Sequence, residues 1–396
     1  MPIKLIHITT IPETLHAFCK GQARFLKRKG INFIGVSSPG NALIDFSKTE
    51  DVDTKSILIY RNIRPIYDLI SLFKLYKLIR SIKPEIVHFG TSKAALLGSI
   101  ASWSTKVPVR IYHVRGSFSE YYSGIIKLIL LFFEWLTALL SNQVIFNSES
   151  SKKYCHDSYL PLNKGIVLCN GSSNGLNSTY FDPNDYNNHN KSKEIRKDII
   201  KNGELLIGYL GRIAEDKGIE EIYNAFKIIQ KTFKVKIILV GEWGESNKAI
   251  NNFRRKIINK EAIIITGHVD NPASYLLAMD IFIYPSHGSE GLPNAVLEAS
   301  AMELPVVATK VVGCIDAVVD GVTGILVPPR DPIALADAIR TLLNDAELRK
   351  RMGKAGRERV IRDFKPEDIW EALYQEYVRL LKEKGIPVPE PLPEKT

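Results

Sequence analysis

The sequence predicts an α/β protein made of two successive doubly wound domains that face a central cleft. Three observations predict it. The chain has 396 residues, more than one domain usually holds. Short runs rich in β-branched residues alternate with segments of helical periodicity, the pattern of βαβ units and a parallel sheet. That alternation lapses in a stretch rich in Asn, Ser, Gly and Asp and then starts again.

In the first half the strand-like runs are residues 4–8, 32–36, 57–60, 86–89, 109–113, 144–146 and 166–168, with helices expected over 16–29 and 66–82 among others. Residues 170–202 lack periodicity and carry turn formers, so the interdomain linker is expected there. Strand-like runs resume at 205–210, 235–240, 263–266, 281–284, 305–308 and 325–327. The expected organisation is a Rossmann-like domain over 1–175, a linker over 176–203, and a second Rossmann-like domain over 204–365. A closing helix over 366–385 and a Pro-rich disordered tail over 386–396 would follow. In open parallel sheets ligands bind beyond the carboxyl ends of the strands, so the cleft is the expected site.

Composition narrows the function. The four cysteines are scattered, without a CxxC pair, which fits free thiols and a reducing compartment. The first residues lead straight into a strand with no leader pattern, so the expected location is cytoplasmic. The formal net charge is +10, and all of it lies in residues 1–120, with 18 basic against 8 acidic residues. Such an excess suits an anionic surface, or equally a set of solvated helix faces. The run IIKLILLFFEWLTALL over 125–140 is shorter than a membrane span and carries Lys127 and Glu134. A buried or interfacial helix is expected there. Together with the basic residues it would allow peripheral contact with an anionic membrane, on the inner face of the plasma membrane. No interleaved aromatic and basic motif points to a nucleic-acid partner.

Two loops could carry chemistry. In the first, Glu290-Gly291-Leu292-Pro293-Asn294-Ala295 follows a strand and opens a helix that holds Glu298. Helix N-termini present unpaired N–H groups and a positive dipole end, so the amides of Leu292, Asn294 and Ala295 could cradle a diphosphate; Pro293 has none to offer. Glu290 and Glu298 could accept bonds from sugar hydroxyls. On spacing alone they read equally well as surface or capping residues. In the second loop, Gly211-Arg212 and Lys217-Gly218 follow the first strand of the second domain. Two cations at a sheet's carboxyl edge would stabilise a leaving diphosphate, or merely be solvated. A Walker A loop, a Gly-x-Ser-x-Gly elbow and a dinucleotide fingerprint are all absent from the sequence.

Together, Arg212 with Lys217 and Glu290 with Glu298 resemble the donor site of the retaining family 4 glycosyltransferases, of GT-B fold. The similarity extends from HITTIPETLHAF through YHVRGS, VIFNSES, LCNGSSNG and EGLPNAVLEA, nearly the whole chain. The resemblance implies a nucleotide-sugar donor whose diphosphate is bound by Arg212 and Lys217 beside Gly211, and whose ribose is held by Glu298. Glu290 would lie near the reacting carbon, and His113 beside the donor sugar as the other catalytic residue. His268 and Val269 would meet the nucleobase through their backbone. Thr9 and Thr10 stand where relatives carry a glycine pair, in a loop bordering the acceptor. The pattern is similar to bacterial enzymes that build capsule and O-antigen oligosaccharides on polyprenyl-diphosphate carriers, which implies a lipid-linked saccharide acceptor. It also implies no cofactor and no metal: Asp51-Val52-Asp53 is an Asp-x-Asp, but it precedes a strand and reads as surface. A sugar-nucleotide epimerase or hydrolase on the same fold is the alternative.

Overall fold

The computed structural model describes residues 3–116, 119, 122–160, 164–201, 203–244, 248–257, 260–288 and 290–388. It divides into two compact units, residues 1–175 with 366–396, and residues 176–365. Each is a parallel sheet between helices. The last residues of the expected tail, 389–396, lie outside the described residues, as do Asn202 in the expected linker and Ser289 beside Glu290.

The first sheet contains β1 (Ile3–Ile8), β2 (Ile31–Ser37), β3 (Asp53–Ser56), β4 (Ile86–Gly90), β5 (Val109–Val114), β6 (Gln143–Phe146) and β7 (Ile166–Val167). Their order is β3-β2-β1-β4-β5-β6-β7, parallel throughout. Alternate residues feed cores on opposite faces. In β1, Ile6 and Ile8 join one core with Val87 and Phe89, while Ile3 and Leu5 join the other with Phe33. The C-terminal helix Pro366–Glu383 closes that second core with Leu373, Tyr377 and Leu381, so the last helix of the chain belongs to the first unit.

The second sheet contains β8 (Leu205–Leu210), β9 (Val235–Val240), β10 (Ile263–Gly267), β11 (Ile281–Tyr284), β12 (Val306–Thr309) and β13 (Gly324–Val327). Its order is β10-β9-β8-β11-β12-β13, again parallel. In both sheets the winding direction reverses beside the first strand, between β1 and β4 and between β8 and β11. Loops leaving neighbouring strands part there and open a crevice at their carboxyl ends.

Three local expectations are corrected. The third strand is Asp53–Ser56 and not 57–60, because the ladder with β2 runs from Ile34–Asp53 to Ser37–Ser56. The helix expected over 16–29 is two helices, Pro12–Cys19 and Gln22–Arg28. They break at Gly21, whose φ of +77° no helix interior can hold. Within the stretch expected to be linker, residues Tyr186–Ile199 form a helix, capped by the Asp185 carboxylate accepting from the Asn188 amide. Asn271 and Ser274 both bond to Asn188, so its polar composition serves a docked helix.

Candidate active site

In the second unit the two loops singled out in the sequence leave β8 and β11, adjacent strands at the point where the winding reverses. After β8, the Gly211 amide donates to the Val240 carbonyl, and the Tyr209 hydroxyl donates to the Arg212 carbonyl. A single 3-10 turn, Glu215–Lys217, follows, and both cations reach the Asp216 carboxylate. Arg212 Nη2 lies 3.3 Å from Asp216 Oδ2 with its side chain half exposed. Lys217 turns inward: its Nζ is 2.5 Å from Glu290 Oε1 and 3.4 Å from Asp216 Oδ2.

Glu290 is held from several sides. The Ser286 hydroxyl donates to Oε1 at 2.7 Å, and the Glu290 amide donates to the Val312 carbonyl. Burial first, then the Glu290 charge, pushes the Tyr284 phenol well above its usual range. Gly313, at φ +84°, passes so close that a Cβ there would sit 2.3 Å from the Glu290 carbonyl oxygen.

The helix Asn294–Ala301 starts beside this cluster with no side-chain cap. Its Asn294 and Ala295 amides precede the first intrahelical bond and point out of the helix start, as does the positive end of its dipole. Glu298, inside the helix, is half-buried, and its carboxylate makes no hydrogen bond or ion pair among the described residues. Desolvation pushes its carboxyl up to about 7. Its charge is felt by Tyr180, whose hydroxyl reaches the Asp270 carbonyl at 3.5 Å. Tyr180 therefore stands within electrostatic reach of Glu298 and bonds to the loop that follows His268 and Val269. It lies in the stretch taken for linker, and nothing in the sequence marked it. His268 itself is exposed, with its Nε2 3.8 Å from Asp270.

The remaining candidates are in the first unit. Thr9 and Thr10 are buried at the end of β1. Thr9 Oγ1 bonds to Ser37 Oγ and Thr10 Oγ1 to Thr91 Oγ1, so this loop is tied to the ends of β2 and β4. His113, on β5, is 2% exposed, and both ring nitrogens are engaged. Nε2 donates to Asn147 Oδ1 at 2.8 Å, and Nδ1 is 3.2 Å from His88 Nε2. His88 Nδ1 in turn meets the Tyr377 hydroxyl at 2.6 Å. His7 stacks on His88 from β1, so three adjacent strands carry a histidine row. Burial holds all three well below the usual imidazole range, as neutral rings.

Arg115 is the residue sequence reasoning missed. It follows His113 by two positions and so projects from the same face, one step nearer the strand's carboxyl end. Its Nε donates to Ser173 Oγ, its guanidinium covers the Phe18 ring at 4.3 Å, and it fits only because Gly90 beneath it has no Cβ. Nη1 is buried without a hydrogen-bond partner, and among the described residues no carboxylate pairs with Arg115. Desolvation lowers it to about 10, so it remains a cation. The one signal in the sequence was a charged residue directly after an apolar strand.

Comparison with known proteins identifies the family. Residues 18–172 match the model of Glycosyltransferase Family 4, and residues 190–359 that of Glycosyl transferases group 1. The capsular polysaccharide biosynthesis glycosyltransferase CapM of Staphylococcus aureus is 36% identical over 383 residues, 96% of this chain and 98% of that one. The N,N'-diacetylbacillosaminyl-diphospho-undecaprenol alpha-1,3-N-acetylgalactosaminyltransferase of Campylobacter jejuni is 24% identical, covering 78% of this chain and 81% of its own. Among solved structures, Anabaena HepE in complex with UDP and glucose superposes with a TM-score of 0.80 at 17% identity, over 95% of this chain and 99% of that one. With its two parallel sheets, its matched models and a relative alike over almost its full length, the chain belongs to the family 4 glycosyltransferases of GT-B fold.

Proposed function

We propose that this glycosyltransferase moves a hexose or N-acetylhexosamine from a UDP-sugar to a polyprenyl-diphosphate-linked saccharide, with retention of configuration and without a metal, during surface polysaccharide synthesis at the cytoplasmic face. The observation that carries the reading is the joining of Lys217 and Glu290, with Arg212 alongside, next to an uncapped helix start. The capsule and diphospho-undecaprenol relatives support the acceptor class, and the UDP complex of the structural relative supports the nucleotide.

In this reading the donor diphosphate lies against Arg212, Lys217 and the amides of Leu292, Asn294 and Ala295. An ammonium has three donors, so Lys217 can keep Glu290 while binding a phosphate oxygen. As the bond from C1 to phosphate breaks, the leaving group gains charge that these fixed cations and dipoles already face, which is the role a metal plays elsewhere. The acceptor hydroxyl approaches the same face of C1. Its oxygen forms the new bond, and its proton passes to a departing phosphate oxygen. Glu290, fixed by Lys217 and Ser286, positions the sugar, and Glu298 accepts the ribose hydroxyls. His113, a buried neutral ring bonded to Asn147, stands beside the donor sugar as the second catalytic residue.

The test is a thermal-shift titration with nucleoside diphosphates in EDTA, followed by NMR of the product anomer. UDP should stabilise the wild type and not the Arg212→Ala, Lys217→Ala double variant. An inverted product would end the retaining mechanism. Rapid donor turnover with no acceptor present would favour the epimerase or hydrolase reading.

A further inference from the structure

The histidine row of the first unit has a direction. His88 Nδ1 lies 2.6 Å from the Tyr377 hydroxyl, His88 Nε2 lies 3.2 Å from His113 Nδ1, and His113 Nε2 lies 2.8 Å from Asn147 Oδ1. A neutral imidazole carries one N–H and one bare nitrogen, so placing the proton of one ring places that of the next. Two arrangements satisfy every link: all protons pointing from Tyr377 towards Asn147, or all of them reversed.

The phenol selects between them. Tyr377 is completely buried, and among the described residues His88 is the hydrogen-bond partner of its hydroxyl. In the reversed arrangement that hydroxyl would accept from His88, and its own proton would be buried without an acceptor, which is costly. Pointing forward, the phenol donates and no proton is stranded. The far end agrees. Asn147 Oδ1 then accepts from His113 and from the Ser173 hydroxyl at 3.0 Å, while the Ser173 oxygen accepts from Arg115 Nε at 2.9 Å.

The row also stays uncharged. Facing it are His7 on β1, Cys19 of helix Pro12–Cys19, Arg115 just beyond β5, and Tyr377. Burial pushes Cys19 up to about 12 and Tyr377 well above its usual range, so both are neutral. Arg115 is the charge among these groups, and a cation opposes a second positive charge on the rings. His113 is thus left with no free nitrogen: its proton is spent on Asn147 and its lone pair on His88. It has no site for the acceptor's proton, in keeping with a departing phosphate oxygen taking it.

We infer that Tyr377 and His88 are positioning residues for the transfer reaction. They pass hydrogen bonds one way along the row and hold His113 as a fixed neutral ring with its proton on Nε2, outside the proton transfer. The inference rests on the reading of His113 as the residue beside the donor sugar.

The test reads the proton positions directly, by NMR of the full chain with isotope-labelled histidine rings, assigned from single variants. In the wild type His88 and His113 should both carry their proton on Nε2, at pH values on either side of about 6.5. A proton on Nδ1 of either ring, or a charged ring, overturns the inference. No substrate enters this measurement, so a failure of the donor reading cannot imitate its failure.

Kinetics then separates positioning from packing. Tyr377→Phe keeps the ring in the core it shares with Leu373 and Leu381 and removes only the hydroxyl. It should lower kcat on the order of tenfold, leave KM for the UDP-sugar unchanged, and mix the tautomers of both rings. His88→Leu should do the same, and carries the comparison if Tyr377→Phe fails to fold. His88→Gln can still accept from Tyr377 and donate to His113, so it should recover kcat and the Nε2 proton relative to His88→Leu. Wild-type kcat in Tyr377→Phe or His88→Leu would overturn the inference. So would a His88→Gln variant as impaired as His88→Leu, which would reduce the row to packing.

Discussion

Lys217 Nζ stands 2.5 Å from Glu290 Oε1, joining two loops whose contact residues are 73 positions apart. Both side chains are about seven-eighths buried, at 14% and 13% exposure. The pair sits where the winding of the sheet reverses, with Ser286 bonded to the same carboxylate oxygen. Neither charge can be removed without leaving the other in a poorly solvated place.

Lys217→Ala should therefore cost stability as well as turnover. An uncompensated carboxylate left behind is worth about 3 kcal/mol, and loss of one fixed cation about 10²- to 10³-fold in kcat. Glu290→Gln should cost less stability, because the amide oxygen still accepts from Ser286. Urea unfolding of both single variants and the double variant would show a coupling near zero if the contact were unimportant.

Glu298 makes a pH-dependent contribution. Its folded carboxyl at about 7 stands above its ordinary value of 4.5. Below 4.5 both states are protonated and nothing is lost; as pH rises towards 7 the unfolded chain alone releases its proton, and stability falls. The buried neutral histidines act oppositely, losing stability as pH drops below the ordinary imidazole value. The difference between wild type and Glu298→Gln isolates the carboxylate. The variant should gain relative stability as pH rises through this window. Its UDP affinity should be flat where that of the wild type weakens on acidification through about 7.

Arg115 is a buried cation without a carboxylate partner among the described residues. Arg115→Met keeps the contact with Phe18 and removes the desolvation cost, so melting should rise, by about 1–3 kcal/mol of stability. Transfer to acceptor should nevertheless fall by at least tenfold if the guanidinium faces an anionic substrate group. A stabilised variant with full activity would make the residue purely structural.

Gly313→Ala tests the backbone of the site. The new Cβ would lie 2.3 Å from the Glu290 carbonyl oxygen at a φ of +84°, so the loop must move. We expect a loss of about 1–3 kcal/mol together with a disproportionate loss of UDP affinity by calorimetry, since Glu290 moves with its carbonyl. An equal loss in Gly321→Ala, at a φ of +74° with nothing near its Cβ, would reduce the effect to strain alone.

Much of this was legible in order along the chain. Alternating apolar runs marked all six strands of the second sheet, because strands buried on both faces must be apolar throughout. Arg212, Lys217 and Glu290 could be picked out because each follows a strand in a loop of turn residues, and Glu298 because it lies in the helix that the second loop opens. The short β3 could not be placed, since its residues Asp53–Ser56 are polar and only their ladder to β2 makes them a strand. The helix Tyr186–Ile199 was taken for linker because its surface is almost wholly polar.

The histidine row shows why the rest was hidden. His7, His88 and His113 each sit between two apolar residues in separate strands, a repeated context that could have been noticed. That they stack, and that Tyr377 bonds the middle one, depends on strand order and on a helix 289 residues away. By itself the sequence determined the two parallel sheets and the loops that carry the charged residues, since periodicity and turn chemistry are local. Only the tertiary structure decided that Lys217 meets Glu290, that Arg115 is buried with no counter-charge among the described residues, and that Gly124–Leu140 turns its apolar side outward. Each of these depends on which elements become neighbours, and a local pattern of residues does not contain that.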